Sequence, residues 1–348
     1  MQQKRETYYD ILRGAAIIFV ISIHAFDISF VYDSFPLFSI FLRNLLNIAV
    51  PIFLALSGFF MAHKRIERDI DYLPFFKKQI LRVYLPVLFC SIPLFMIGIA
   101  GGRSVLKCVL LLFLCGYSIY YFVAVIIQCY LLLPFLNFFY NKGKNAYVFV
   151  MIFSLLLAVC GWAVKSYILP KFGISLPLIA YAGGFWMWSV FFIFGFYFGR
   201  LKDRNYSIKP WLLLSSLTFV LCVTESLFLD KLGYGVGVGQ KPSAMLFSFC
   251  LIPLLFSEKV KVTFDKLNFK GTILLSSIGF YSFGIYLIHC YVLLVYRIIV
   301  KKMFTHFHER IFAVDLSDVY CFSDFVCFFV GNEKVFSAVD QDLFRSLA

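Results

Sequence analysis

The chain has 348 residues, of which 61% are hydrophobic and 15% are charged, and its formal net charge is +13. Its mean hydropathy of +0.87 is far above that of a soluble domain, which is roughly half apolar. The composition therefore excludes a soluble globular protein and predicts an all-α polytopic membrane protein.

Apolar runs long enough to cross a bilayer recur along the whole chain. About 17 to 25 residues span a hydrocarbon core about 30 Å thick. The runs predict a bundle of about ten transmembrane helices, near residues 11–31, 38–62, 83–100, 119–139, 146–168, 185–199, 210–229, 243–257 and 273–299, with 311–331 as the candidate tenth span. The first is predicted to be a retained helix because no A-x-A-like cleavage site follows it. The run 105–115 is short and is predicted to be re-entrant or interfacial.

The distribution of basic residues predicts that the N-terminus is cytoplasmic. With that orientation the inner segments hold 18 Lys and Arg residues and the outer loops hold 5. Cytoplasmic loops of membrane proteins carry such an excess. The positive charge is therefore assigned to topology and not to a nucleic-acid partner.

The ten cysteines are scattered, mostly within apolar runs, and none forms a C-x-x-C pair. This pattern favours neither a zinc site nor a disulfide framework. They are interpreted as small core residues, and no metal is expected.

The first predicted helix carries ionisable residues on one face. At about 100° per residue, Asp10, Arg13, His24 and Asp27 lie within an arc of about 100°. Ionisable residues in a membrane span usually face the bundle interior or a wet cavity. The stripe therefore predicts a functional face, with a helix-packing histidine as the structural alternative for His24.

Depth along the helix separates these groups. Arg13 and His24 are about 16 Å apart along the axis at a rise of 1.5 Å per residue. This places a fixed cation at the cytosolic interface and a titratable imidazole near mid-membrane, which suits a substrate with an anionic head and an inserted reactive end. Asp10 is about 21 Å from His24 and is predicted to pair with Arg13 or to cap the helix. Asp27, one turn beyond His24, is better placed to hold the imidazole.

Six stretches, in order, resemble an integral-membrane family usually called the acyltransferase-three family, over about residues 5 to 300. They are "YYDILRGAAIIFVISIHAF" with Arg13 and His24, "VPIFLALSGFFMA" with Ser57 and Gly58, "KKQILRVYLPVL" with Arg82, "IYYFVAVIIQCYLLLPFL", "FFIFGFYFGR" and "SIGFYSFGIYLIHCYVLL". The resemblance implies a bundle of about ten helices and the transfer of an acyl group, commonly acetyl from acetyl-CoA, to a sugar hydroxyl. The implied protein is a multi-pass enzyme of the bacterial inner membrane that modifies a sugar or cell-surface polysaccharide.

A mechanistic hypothesis assigns roles to individual residues. His24 is the expected general base, or the nucleophile of an acyl-histidine intermediate, and both alternatives stay open. Arginine forms bidentate pairs with phosphate, so Arg13 and Arg82 are expected to hold the phosphates of coenzyme A. Lys77 and Lys78 are either further phosphate ligands or topological charge. The family often has an arginine three positions before the residue that corresponds to Arg82, where this chain has Gln79.

Secondary site candidates are Asp10, Ser57, Glu225 and His289. Glu225 is predicted either to face the acceptor or to meet water at the outer end of its helix. Packing is the alternative for Ser57 and for His289.

The chain is divided into a transmembrane acyltransferase domain, 1–302, and an atypical tail, 303–348. The tail is either a last membrane segment or a frameshifted end, since Asp324 interrupts its apolar run. Two other functions stay open: transport of a glycan intermediate and a non-catalytic role in polysaccharide biosynthesis.

Overall fold

A computed structural model describes residues 7–25, 36–64, 72–234, 239–266 and 270–311. The described part is helical and contains no strand. Its helices are α1 (Thr7–Ala25), α2 (Pro36–Leu46), α3 (Ala49–Ala62), α4 (Tyr72–Ala100), α5 (Val105–Phe113), α6 (Tyr121–Leu131), α7 (Leu133–Lys142), α8 (Lys144–Ala163), α9 (Leu169–Lys171), α10 (Leu178–Ala182), α11 (Ser189–Arg200), α12 (Lys209–Lys231), α13 (Pro242–Phe256), α14 (Glu258–Lys266), α15 (Lys270–Phe280) and α16 (Ser282–Ile311). A π-helical turn, Val164–Ile168, joins α8 to α9.

The prediction of an all-α membrane protein is confirmed. Within the described ranges five helices are long and apolar enough to cross a membrane, or up to eight spans if each bent helix pair is one span. The prediction of about ten spans goes beyond this number, and the side of the N-terminus stays a prediction. The candidate span at 311–331 and most of the tail lie outside the described residues.

Two boundaries differ from the sequence prediction. The third span begins at Tyr72 rather than at residue 83, so that α4 has 29 residues and contains Pro86 and Pro93. The run 273–299, predicted as one span, is bent by 85° between α15 and α16. The break falls at Tyr281, in a stretch that contains no charged residue, so hydropathy does not mark it.

The helices form two compact units, of which the first comprises residues 1–83 and 122–286. Its helices cross closely at glycines, which have no side chain to keep the two backbones apart. A Cβ on Gly58 would lie 2.0 Å from the Phe192 carbonyl oxygen, and one on Gly195 would lie 1.9 Å from that of Ala55. The α1–α15 crossing is built in the same way, since a Cβ on Gly279 would lie 1.8 Å from the Asp10 carbonyl oxygen. Small residues permit such backbone contact in membrane bundles.

The second unit comprises residues 84–121 and 287–348. Tyrosine hydroxyls hold it together by bonding to main-chain carbonyls: that of Tyr120 donates to Leu287 at 2.8 Å, and that of Tyr117 donates to Cys108 at 3.1 Å. Helix α5 in this unit has nine residues, which confirms that the run 105–115 is too short to span.

Candidate functional site

The ionisable face of α1 points into the first unit, as the sequence predicts. Asp10 is only 3% exposed, and Arg13 donates to its Oδ1 at 2.8 Å. The pairing of these two residues is therefore confirmed. Ile17, on the same face, is fully buried, and His24 is half-buried in the last turn. Asp27 lies outside the described residues, and its role stays a prediction.

At the N-terminal end of α1, cationic side chains stack on aromatic rings. We call this the arginine–aromatic cluster: Tyr9, Arg13, Phe59, Phe60 and Arg204. The Arg13 guanidinium lies 4.5 Å from the centroid of Phe60, and that of Arg204 lies 5.0 Å from that of Phe59. Such contacts stabilise a cation that is partly removed from water.

Arg204 has further partners in this cluster. Its guanidinium donates to the Tyr9 hydroxyl and to Glu258 Oε2, the latter at 3.2 Å. The sequence analysis did not single out Arg204, because a basic residue between two apolar runs looks like topological charge. The position of Arg204 near Arg13 becomes evident only from the packing of α1 against α3 and α14.

Arg82 lies at the same end of the unit. The charges of Arg82 and Arg13 both act electrostatically on the Tyr130 hydroxyl. Both arginines that the sequence proposed for one ligand therefore act on the same hydroxyl. Lys77 and Lys78 lie on the exposed surface of α4, and their role stays a prediction.

At the C-terminal end of α1, a second group of polar side chains is buried between α2, α12 and α13. We call it the Asn44–Lys241 network. Lys241 Nζ donates to Asn44 Oδ1 at 2.5 Å, and Asn44 Nδ2 donates to Ser226 Oγ at 2.8 Å. The thiol of Cys222 donates to the same Asn44 oxygen at 3.2 Å. Burial lowers the pKa of Lys241, which is 0% exposed.

This network adjoins the turn of α1 that carries His24. Arg43, next to Asn44, donates to the carbonyl of Ile23 at 2.8 Å. Arg43 also lies close enough to Lys241 for the two positive charges to repel each other. The last turn of α1 therefore lies beside a basic and amide-rich environment.

Glu225 closes the network on the side of α12. It accepts a hydrogen bond from the Tyr167 hydroxyl at 2.5 Å and one from the Ser243 backbone N–H at 2.9 Å. The second bond satisfies an N–H group in the first turn of α13, which has no partner within its own helix. The structure thus places Glu225 among protein groups, and whether it also faces the acceptor stays a prediction.

The two remaining sequence candidates make local contacts. Ser57 donates to the Phe53 carbonyl in its own helix at 2.8 Å, and its neighbour Gly58 forms the helix crossing described above. His289 lies in the second unit, 3% exposed, with Nε2 3.6 Å from Cys290 Sγ. Neither contact tests a role in chemistry. Within the described ranges no group of three or more His, Cys, Asp or Glu side chains could hold a metal ion.

Comparisons with known proteins identify the family of the chain. A family model described as "Acyltransferase domain" matches residues 6–314. The chain belongs to the acyltransferase-three family. It is 27% identical over 293 residues to a Bacillus subtilis (strain 168) protein named "Putative membrane-bound acyltransferase YfiQ", covering 80% of this chain and 75% of the relative. No solved structure matches.

Membership of the acyltransferase-three family supports the enzyme among the functions that the sequence left open. The protein is a multi-pass membrane acyltransferase. An acyltransferase needs an acyl donor and an acceptor. The two ends of α1 lie in separate polar environments.

Proposed function

We propose that this acyltransferase moves an acetyl group from acetyl-CoA to a hydroxyl of a sugar or cell-surface polysaccharide in the bacterial inner membrane. The observation that supports the proposal best is the polarity of α1. One face carries Arg13 within the arginine–aromatic cluster and His24 about 16 Å along the axis. Coenzyme A likewise has phosphates at one end and a thioester at the end of a long arm.

The donor phosphates are assigned to the arginine-rich end. Arg13 is 29% exposed while it pairs with Asp10, so part of its guanidinium remains accessible. Arg82 is exposed near it. Guanidinium groups bind phosphate through two parallel hydrogen bonds, which lysine does not do. Lys77 and Lys78 are assigned a weaker, long-range attraction.

His24 is assigned the proton transfer. Its imidazole removes the proton of the acceptor hydroxyl as that oxygen attacks the thioester carbonyl. The carbon–sulfur bond then breaks, and the imidazolium returns the proton to the thiolate of coenzyme A. Asp27 is assigned the orientation of the ring. In the alternative, the neutral imidazole attacks the thioester carbonyl and expels coenzyme A as its thiolate. The acceptor hydroxyl then attacks the acyl-imidazole, which gives the ester and free imidazole and releases the hydroxyl proton, which neutralises the thiolate. A positioned base contributes about 10²- to 10⁴-fold to rate.

The test uses purified protein in lipid bilayers with acetyl-CoA labelled in the acetyl group and purified polysaccharides as acceptors. Transfer by the wild type should fall by about 10²- to 10⁴-fold in His24→Ala. Lys202→Ala, an exposed residue outside the site, serves as the control and should keep its activity. Equal transfer by His24→Ala would remove the base from the proposal. Labelling of a non-sugar acceptor alone, or of none, would overturn the sugar assignment.

A further inference from the structure

Arg200 ends α11 beside the arginine–aromatic cluster. A Cβ on its neighbour Gly199 would lie 2.5 Å from the carbonyl oxygen of Phe59, so the last turn of α11 meets the last turn of α3. The Arg200 guanidinium lies over two rings, 5.2 Å from the centroid of Phe196 and 5.7 Å from that of Tyr140. Stacking of this kind fixes the plane of a guanidinium and leaves its edges available for hydrogen bonds.

A side-chain amide from another helix holds this guanidinium. Nη2 of Arg200 donates to Asn137 Oδ1 at 2.8 Å, and Asn137 Nδ2 donates to the Tyr72 hydroxyl at 2.6 Å. The second bond orients the amide so that its oxygen faces Arg200. The Tyr140 hydroxyl also donates to the main-chain carbonyl of Arg200, at 3.4 Å. We call Arg200, Asn137 and Tyr72, which lie on α11, α7 and α4, the Arg200 site.

The guanidinium of Arg200 can donate to a further acceptor. It has five N–H groups, of which the bond to Asn137 uses one. Among the described residues no carboxylate forms an ion pair with it, and its buried Nε donates no hydrogen bond. A buried donor without an acceptor is costly, and more so when it is charged. Arg200 is only half-buried, so an anion can reach the guanidinium from outside the bundle.

A purely structural role explains less of this arrangement. A cation in the last turn stabilises a helix through its charge. A basic residue at the end of a span also fits the charge pattern of membrane proteins. Lysine would serve both purposes, and neither needs an oriented amide or two stacked rings. The planar fork of arginine matters where a ligand presents two oxygens.

We propose that the Arg200 site binds a phosphate group. The guanidinium donates two parallel hydrogen bonds to two phosphate oxygens, and Asn137 keeps the guanidinium in place. Two molecules can bring a phosphate to this site: coenzyme A, proposed above as the donor, and a membrane lipid through its headgroup. The first source rests on the proposed donor, and the second does not.

The experiment measures binding without acyl transfer. Full-length protein in maltoside micelles, which contain no phosphate, is titrated by calorimetry with coenzyme A, 3′-dephospho-coenzyme A, pantetheine and short-chain phosphatidylglycerol. One variant, Arg200→Lys, keeps the charge and loses the fork. The other, Asn137→Asp, places a carboxylate against the guanidinium at nearly constant volume. We expect each variant to weaken the phosphate ligand of the site by about tenfold.

Controls and ligands together identify the source of the phosphate. Lys202→Met changes an exposed lysine and should bind as the wild type does, and pantetheine, which has no phosphate, should bind equally to all variants. A loss for coenzyme A but not for its dephospho form identifies the 3′-phosphate, and an equal loss for both identifies the diphosphate. A loss for phosphatidylglycerol alone identifies a lipid headgroup. If the wild type binds neither form of coenzyme A, the proposed donor fails, and the phosphatidylglycerol titration alone decides the Arg200 site.

Three results would overturn the proposal. One is that Arg200→Lys or Asn137→Asp binds every phosphate ligand as tightly as the wild type does. Another is that both variants weaken pantetheine as strongly as the phosphate ligands, which would assign the site to folding. The third is that Lys202→Met weakens the same ligand to the same extent, which would assign the binding to general surface charge.

Discussion

At the N-terminal end of α1 the cations lie against carboxylates and aromatic rings, whereas at the C-terminal end the ammonium of Lys241 lies against an amide. Arg13 pairs with Asp10 and stacks on Phe60, and Arg204 pairs with Glu258 and stacks on Phe59. Lys241 donates to Asn44, with two further cations nearby. The first end pairs its cations with carboxylates and rings, and the second end joins a lysine to amide, hydroxyl and thiol groups.

This difference shows how one helix can serve two substrates. Stacked and paired arginines stay ordered without a ligand and still present guanidinium edges to phosphate. The expected partner of the first end is therefore a donor phosphate, and the second end adjoins the turn that carries His24.

The largest expected effect is on stability, and it comes from separating α11 from α3, the helix that carries two rings of the arginine–aromatic cluster. In Gly195→Ala the new Cβ would meet the carbonyl oxygen of Ala55 at 1.9 Å, so α11 must move away from α3, which carries Phe59 and Phe60. We expect a loss of about 3 kcal/mol in the free energy of unfolding. Thermal unfolding in detergent measures it. Gly284→Ala, which meets nothing within 4 Å, is the control. Equal stability of both variants would contradict the close crossing.

The next effect concerns charge compensation on α1. Arg13→Met removes the cation that pairs at 2.8 Å with Asp10, whose side chain is only 4% exposed. We expect a loss of about 2 kcal/mol, less than for a fully buried pair because Arg13 is partly exposed. The double variant Asp10→Asn/Arg13→Met should recover most of it. Additive losses in this double-mutant cycle would show that the pair does not stabilise the fold.

A smaller loss of stability is expected at the opposite end of α1. Glu225→Gln removes the carboxylate that caps α13 and should lower the free energy of unfolding by about 1 kcal/mol. Thermal unfolding in detergent measures it, with Lys231→Gln, an exposed lysine of the same helix, as the control. Equal stability of the two variants would contradict the cap.

The smallest effect is on pH dependence. Burial is the main cause of the lowered pKa of Lys241, and Arg43 lowers it further, while Cys222 and Glu225 raise it. The folded protein therefore releases this proton at a lower pH than the unfolded chain, in which the pKa of a lysine is about 10.4. We expect the free energy of unfolding to rise as the pH rises toward about 10.4, because the unfolded state binds more protons there. Lys241→Arg, which keeps its charge, should show no such rise. A rise of equal size in both would assign it to another group.

The positions of the ionisable residues on one face of α1 could be predicted from the sequence, because helical periodicity is a local property. A rise of 1.5 Å and about 100° per residue place Asp10 and Arg13 on one face. The Asp10–Arg13 ion pair follows from that spacing alone, and the structure contains it. The roles of His24 and Asp27 in chemistry stay predictions.

The contacts of the Asn44–Lys241 network could not be predicted from the sequence in this way. Asn44 and Lys241 are 197 positions apart, and each looks unremarkable in its own segment. An amide and an arginine adjacent in an apolar run, Asn44 and Arg43, were the available signal. Their partners depend on which helices cross and at what depth, which hydropathy does not encode.

The sequence by itself determined that this protein is a helical membrane acyltransferase with an ionisable first helix, because apolar length, helical period and ordered motifs are all local. Only the tertiary structure decided which charges share an end of α1. That outcome depends on close crossings at Gly58, Gly195 and Gly279, where backbone meets backbone. It also depends on the break at Tyr281, which divides one predicted span into two helices. Contacts of this kind arise from packing, so they appear only when the whole bundle is assembled.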